Sequence, residues 1–169
     1  MGKDIFKLNG INEKILINSI YEIENTYRPL YFRILEYIYL TICVLISKFT
    51  VIRIPNLTVG KYQVGILNYL KYLGNNVENT HLSYVEKLSI VDLVTIFKIC
   101  ISESNDNVTS FVLRGLIHGK QFSSVNGAIK FIGLGYNGSY DYSMKLNAIY
   151  QQKLKTAPNT MISDMPFLE

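Results

Sequence analysis

Three short polar groups interrupt an otherwise apolar chain, and each holds side chains suited to handling a sugar. The first is Glu24, within Tyr21-Glu22-Ile23-Glu24-Asn25. Cleaving a glycosidic bond needs an acid that protonates the leaving oxygen. A carboxyl held among apolar and aromatic neighbours resists ionisation, which raises its pKa toward useful values. Glu24 follows an apolar helix face and precedes Tyr27 and an aromatic-rich segment, a suitable setting. The plain alternative is a solvated glutamate at a helix end. Two other carboxylates compete. Glu22 lies about 160° from Glu24 around a helix, at about 100° per residue, so the two do not face one cleft. Glu36 sits amid apolar residues and suits a buried carboxylate paired with Arg28 or Arg33.

The second group is Gly60-Lys61-Tyr62-Gln63, after Pro55-Asn56-Leu57-Thr58. A glycine before a helix lets backbone approach a ligand closely. Glutamine offers an amide donor and a carbonyl acceptor, which match sugar N-acetyl and hydroxyl groups. The alternative is an ordinary loop-to-helix junction with Thr58 as N-cap. The third group is Tyr136-Asn137-Gly138-Ser139, where Asn-Gly also reads as a plain turn. In a functional role Tyr136 packs on a sugar ring or beside the acid, and Asn137 bonds substrate or braces the cleft.

These groups must be positioned by helices. Asn12 caps a first helix whose Ile15, Leu16, Ser19, Ile20 and Ile23 share one face, ending near Glu24. Arg28-Pro29 interrupts it, and a second helix is expected from Pro29 to about Ser47. That helix is apolar nearly all round, which predicts a central buried element. Residues 49–54 are rich in β-branched side chains and stop at Pro55, giving a short strand or extended linker. A third helix fits Tyr62 to Leu73, closed by Gly74. Asn75 to His81 is a polar loop. Ser83-x-x-Glu86 reads as a capping box, and Ser89-x-x-Asp92 repeats it before a helix to about Ile101. A polar turn over 102–107 precedes a helix over 108–117 that stops at Gly119. Segment 124–134 is a weaker helix, and a last one covers about 141–155, followed by a loose tail. The expectation is therefore a mainly α single domain of about seven helices with at most a short β element.

The chain has 169 residues, 49% of them hydrophobic and 18% charged, enough for one domain with a real core. The net charge of +4 suits an anionic partner such as a cell-wall polymer, a lipid surface or a nucleic acid without choosing among them. No Arg/Lys cluster with interleaved aromatics is present, so no nucleic-acid partner is expected. Cys43 and Cys100 sit in apolar helical stretches and read as buried free thiols. His118 reads as a helix C-terminal residue, and His81 lies in a loop. Without an H-E-x-x-H, a Cys/His cluster or an acidic loop, neither metal nor cofactor is expected. Gly133, Gly135 and Gly138 match G-x-G-x-x-G literally, but no strand precedes them, so a dinucleotide site is rejected. Met1-Gly2-Lys3-Asp4 lacks a signal peptide's apolar core. The longest uncharged apolar run, between Glu36 and Lys48, is too short for a transmembrane span of about 20 residues.

The order of these groups resembles the lysozyme superfamily, most closely its soluble lytic transglycosylase branch. That family carries a glutamate ending an apolar helix, then G-L-M-Q, then Y-N-A-G, then a helix with a tyrosine near its start. Here these correspond to Glu24, to Gly60-Lys61-Tyr62-Gln63, to Tyr136-Asn137-Gly138-Ser139, and to Tyr140 or Tyr142 with Lys145 and Tyr150 following. Ile23-Glu24-Asn25-Thr26-Tyr27 also resembles the I-E-D-x-x-F of peptidoglycan glycosyltransferases. The departures are Asn25 where the family usually has Ser, a long interval from Glu24 to Gly60, and altered second and third motifs. The resemblance covers about Ile15 to Tyr150 and implies a lysozyme-like domain over 1–155 acting on the β-1,4-linked MurNAc–GlcNAc strand of peptidoglycan. It implies Glu24 as the catalytic acid, with Gly60, Tyr62, Gln63, Tyr136 and Asn137 lining the cleft. It also implies a periplasmic or cell-wall-facing setting. Asp92, Asp106 and Asp141 read as capping or turn residues, so a single-acid mechanism is preferred over one with a second carboxylate. The rival expectation is a helical interaction module of the same fold that binds a protein, glycan or membrane partner, using the 29–47 helix as an interface.

Overall fold

A computed structural model of the chain describes residues 10–75, 84–85 and 88–157. It is mainly α: seven helices hold 69% of the described residues, and four two-residue strands form two antiparallel ladders. Two compact units share the chain. The described residues of Met1–Ile23 and Leu113–Glu169 make one, and those of Glu24–Val112 the other. Helices α1 (Glu13–Tyr27) and α5 (Ser104–Ile117) each begin in one unit and end in the other.

Helix α1 starts where Asn12 supplies a cap, its Oδ1 accepting from Ile15 N at 3.1 Å. Such a cap stabilises a helix by about 1 kcal/mol. Ile15, Leu16, Ser19, Ile20 and Ile23 are all buried, as the 3.6-residue period requires. In the first unit, α6 (Val125–Asn137) and α7 (Tyr140–Thr156) pack along one another. Ser124 caps α6 by accepting from Gly127 N, and Ser139 caps α7 by accepting from Tyr142 N. Gly133 sits at their closest approach, where an added Cβ would come within 2.7 Å of Ser143 Cα. Close helix packing therefore accounts for a glycine in the literal G-x-G-x-x-G pattern. Tyr150, on α7, is buried, and its hydroxyl accepts from Asn12 N at 2.8 Å.

The second unit holds α2 (Leu30–Ile46), β1 (Ile54–Pro55), β2 (Thr58–Val59), β3 (Val64–Gly65), α3 (Ile66–Tyr72), β4 (Tyr84–Val85) and α4 (Ile90–Ile101). Strand β1 pairs with β4, Ile54 opposite Val85. Strand β2 pairs with β3, Val59 opposite Val64. Leu40, Val44, Ile54, Val59, Ile66, Tyr69 and Ile96 form its buried centre. Helix α4 opens on the expected capping box: Ser89 Oγ accepts from Asp92 N, and an Asp92 carboxylate oxygen accepts from Ser89 N.

Several boundaries differ from the sequence pattern. The helix expected over 62–73 begins at Ile66, because 60–63 closes the β2–β3 hairpin. The strand expected over 49–54 contracts to Ile54–Pro55. The turn expected over 102–107 is mostly the first turn of α5, and α6 continues to Asn137. The largest correction concerns α2, which is not a central buried helix. Only Arg33, Leu40, Cys43 and Val44 along it are buried, while most of its other apolar side chains are exposed. A helix that is apolar all round offers two candidate faces, and periodicity does not say how many find neighbours. Among the described residues no single helix is long and apolar enough to cross a membrane. Met1–Asp4, His81, the Ser83–Glu86 pattern, nearly all of the Asn75–His81 loop and most of the tail beyond Thr156 lie outside the described residues.

Candidate functional site

Four residues, Gly60 to Gln63, join β2 to β3, and their geometry is more constrained than a hairpin needs. Gly60 has φ +80, and a Cβ there would lie 2.8 Å from both Asn105 Nδ2 and Tyr69 Oη. Gln63 is the one described non-glycine residue with positive φ, at +53. Backbone of this kind costs about 1–3 kcal/mol and persists where its surroundings over-determine it.

The surroundings of Gln63 do so through both ends of its amide. Oε1 accepts from Arg28 Nη1 at 2.8 Å and from Thr58 Oγ1 at 2.9 Å. Nε2 donates to Gly60 O at 3.0 Å and to Glu36 Oε2 at 3.4 Å. Arg28 also makes an ion pair and hydrogen bond with Glu36 Oε1. Of the two arginines that suited Glu36, the partner is thus Arg28. Arg33 instead donates from Nη2 to Asn25 Oδ1 at 3.3 Å.

A second set of bonds supports the loop from α3, α4 and α5. Tyr69 donates to Asn105 Oδ1 at 2.7 Å, and Asn105 Nδ2 donates to Cys100 O at 3.3 Å. Tyr62 is buried, and its hydroxyl donates to Asp106 Oδ1 at 2.8 Å; Lys61 Nζ pairs with the same oxygen at 2.7 Å. Burial pushes the Cys100 thiol up to about 11, against opposing hydrogen bonds from Tyr69 and Tyr37. Burial likewise pushes the Tyr37 hydroxyl up, reinforced by Cys100 beside it. Cys43 and Cys100 are both buried and free.

Glu24 lies in the last turn of α1 and is only 6% exposed. It extends the buried Leu16–Ile20–Ile23 face by one position. Its carbonyl accepts from Arg28 N at 3.0 Å, and Arg28 is the residue that reaches Gln63 and Glu36. The helix end carrying the carboxyl is therefore tied to the Gly60–Gln63 loop through one arginine.

No family model, curated protein or solved structure matches the chain.

The remaining sequence candidates separate clearly. Glu22 is exposed and pairs with Lys153 at 2.7 Å, an ordinary surface ion pair. Glu24, Gly60, Tyr62 and Gln63 belong to the second unit, whereas Tyr136 and Asn137 belong to the first. Tyr136 is half-buried in the last turn of α6 and stacks on Tyr142, with ring centroids 6.3 Å apart. Asn137 is the exposed final residue of that helix. His118 is exposed just beyond α5. Among the described residues no group of three or more His, Cys, Asp or Glu side chains is placed to hold a metal.

Sequence reasoning missed Thr58 as a partner of Gln63 and Asp106 as a partner of Tyr62. Thr58 looked like an N-cap because the following segment read as helix. Asp106 looked like a turn residue, and no local pattern marks a contact 44 positions away. Arg28 was visible only as a possible partner of Glu36. Its eight-residue offset from Glu36, across Pro29, was the signal available.

Proposed function

We propose that this chain cleaves the β-1,4 glycosidic bond between MurNAc and GlcNAc in peptidoglycan, with Glu24 as its acid. The observation that carries the reading is the burial of Glu24 at the end of α1, in the same unit as the Gln63 loop. Most glutamates stay in water, and a buried carboxyl is held by its surroundings in one place, as an acid aimed at a glycosidic oxygen must be. Such positions are candidates for acid–base chemistry.

In the proposed reaction Glu24 protonates the glycosidic oxygen as its bond to the anomeric carbon breaks. In the transglycosylase form, the substrate's N-acetyl group assists, and its C6 hydroxyl attacks the anomeric carbon while returning a proton to Glu24. The product is a 1,6-anhydro sugar, and no water is consumed. In the lysozyme form, water takes the place of that hydroxyl. Arg28, Glu36, Thr58 and Gln63 act here as positioning residues, since their mutual bonds fix the loop relative to the end of α1. Tyr136 and Asn137 enter through the family resemblance alone.

The test is digestion of purified peptidoglycan with products resolved by mass spectrometry. Anhydro-muropeptides identify a lytic transglycosylase, and reducing-end muropeptides a lysozyme. A folded protein that releases neither overturns the proposal. The exposed face of α2 favours a second reading in that event, a helical interaction module without catalysis.

A further inference from the structure

We propose that the outward face of α2 is the interface of a symmetric dimer, its occupant a second copy of this chain. The inference rests on α2 alone and holds whether or not glycan strands are cleaved. Arg33, Leu40, Cys43 and Val44 point the inward side of α2 into its own unit. On the other side stand Tyr31, Leu35, Ile38, Ile42 and Leu45, between 47% and 59% exposed. Their spacing of four, three, four and three residues is the 3.5-residue period of a seam that packs against another helix. Ile34, Tyr39 and Ile46 flank this seam and are exposed as well.

The size of the face fits the assignment. At about 200 Å² for a free tyrosine and less for each Ile or Leu, these eight side chains, each about half exposed, leave several hundred Å² of apolar surface. That is about what one partner contributes to a standard interface. It is at the upper end of the largest apolar patch on a typical monomer, about 300–600 Å².

Charge argues for a second copy over a lipid surface. A helix lying on a membrane carries Lys and Arg along its polar face. The side of α2 opposite the seam is instead packed inside its unit. Its one arginine there is buried beside Asn25, and Glu36 is paired with Arg28. No Lys, Arg, Asp or Glu stands between Glu36 and Lys48. Two such faces meet without placing any charge opposite another, and a two-fold axis supplies the same complementary period from both sides.

The test is the mass of the full chain in solution by light scattering, across micromolar concentrations. The expected value is twice the 19.4 kDa chain mass, and Ile38→Lys with Ile42→Lys is expected to weaken association at least tenfold. Circular dichroism establishes that this variant is folded. Should it fail to fold, Ile38→Cys gives an independent reading. Ile38 is the midpoint of the seam, so a two-fold packing brings the two copies of it together, and mild oxidation is expected to give a covalent dimer. A wild-type chain that stays at 19.4 kDa up to about 100 µM overturns the proposal. So does a monomer that floats with phosphatidylcholine–phosphatidylglycerol vesicles, which assigns the face to lipid.

Discussion

The segments Gly60–Gln63 and Tyr136–Ser139 each contain a glycine, a tyrosine and an amide side chain within four residues. In the first, the glycine has no room for a Cβ, the glutamine backbone is left-handed, and both ends of its amide are engaged. In the second, the last turn of α6 ends on Gly138, left-handed with nothing within 4 Å, and Ser139 caps α7. Two helices in close succession need a cap and a left-handed residue, and Tyr136–Ser139 supplies little more. A four-residue hairpin loop does not need a strained glutamine held by an ion pair between the α1–α2 junction and α2. Excess constraint of that kind is what distinguishes a candidate site from a connection.

The largest expected difference between the two segments lies at their glycines. Gly60→Ala combines an unfavourable φ with collisions against Asn105 and Tyr69, and a loss of about 3 kcal/mol or more is expected. Gly138→Ala meets only the backbone preference, about 1 kcal/mol. Urea unfolding of both variants measures the difference, and equal losses contradict the distinction drawn here. Next in size are the amides. Gln63→Ala leaves Arg28, Thr58 and Glu36 each without one partner, and about 1–2 kcal/mol of stability should go with it. Asn137→Ala, at an exposed helix end, should stay within about 0.5 kcal/mol of wild type.

Smaller effects sharpen the account of the loop's support. Asp106→Asn keeps an acceptor for Tyr62 but loses the ion pair with Lys61. The pair is partly exposed, so a loss of about 0.5 kcal/mol that shrinks with added salt is expected. The Cys100 thiol gives a pH signature. Its proton is held more tightly in the folded chain, with the value raised from 9.0 to about 11. The associated stability is therefore complete below about pH 9 and is lost as pH rises toward 11. Cys100→Ala should flatten the stability profile in that window, as followed by thermal unfolding at stepped pH.

Much of the helical framework was legible in local chemistry. Asn12, Ser89 with Asp92, Ser124 and Pro29 mark helix starts by rules that need only a few neighbouring residues. The buried face of α1 from Ile15 to Ile23 followed from helical period, whereas the burial of Glu24 and the extra turn to Tyr27 did not. Other features depend on partners distant in sequence. Hairpin pairing by Val59 and Val64 overrode the helical reading of Tyr62 and Gln63. The bond from Tyr62 to Asp106 joins two segments whose local patterns were complete without it. Sequence left α2 open between a buried helix and an interface, because a composition rich in Ile and Leu suits both equally. The family resemblance joined the three polar groups by their order, and order alone carries no distances.

The central proposal is that Glu24 supplies the proton for cleavage and is not needed for holding the strand. The most direct measurement compares wild type with Glu24→Gln in two assays on the same purified peptidoglycan, co-sedimentation and muropeptide release. The amide preserves size and shape but has no acidic proton, so binding within about twofold of wild type is expected, with release reduced by about a thousandfold or more. Release that survives the substitution contradicts the claim and moves the acid to another residue, with Glu36 the next to test.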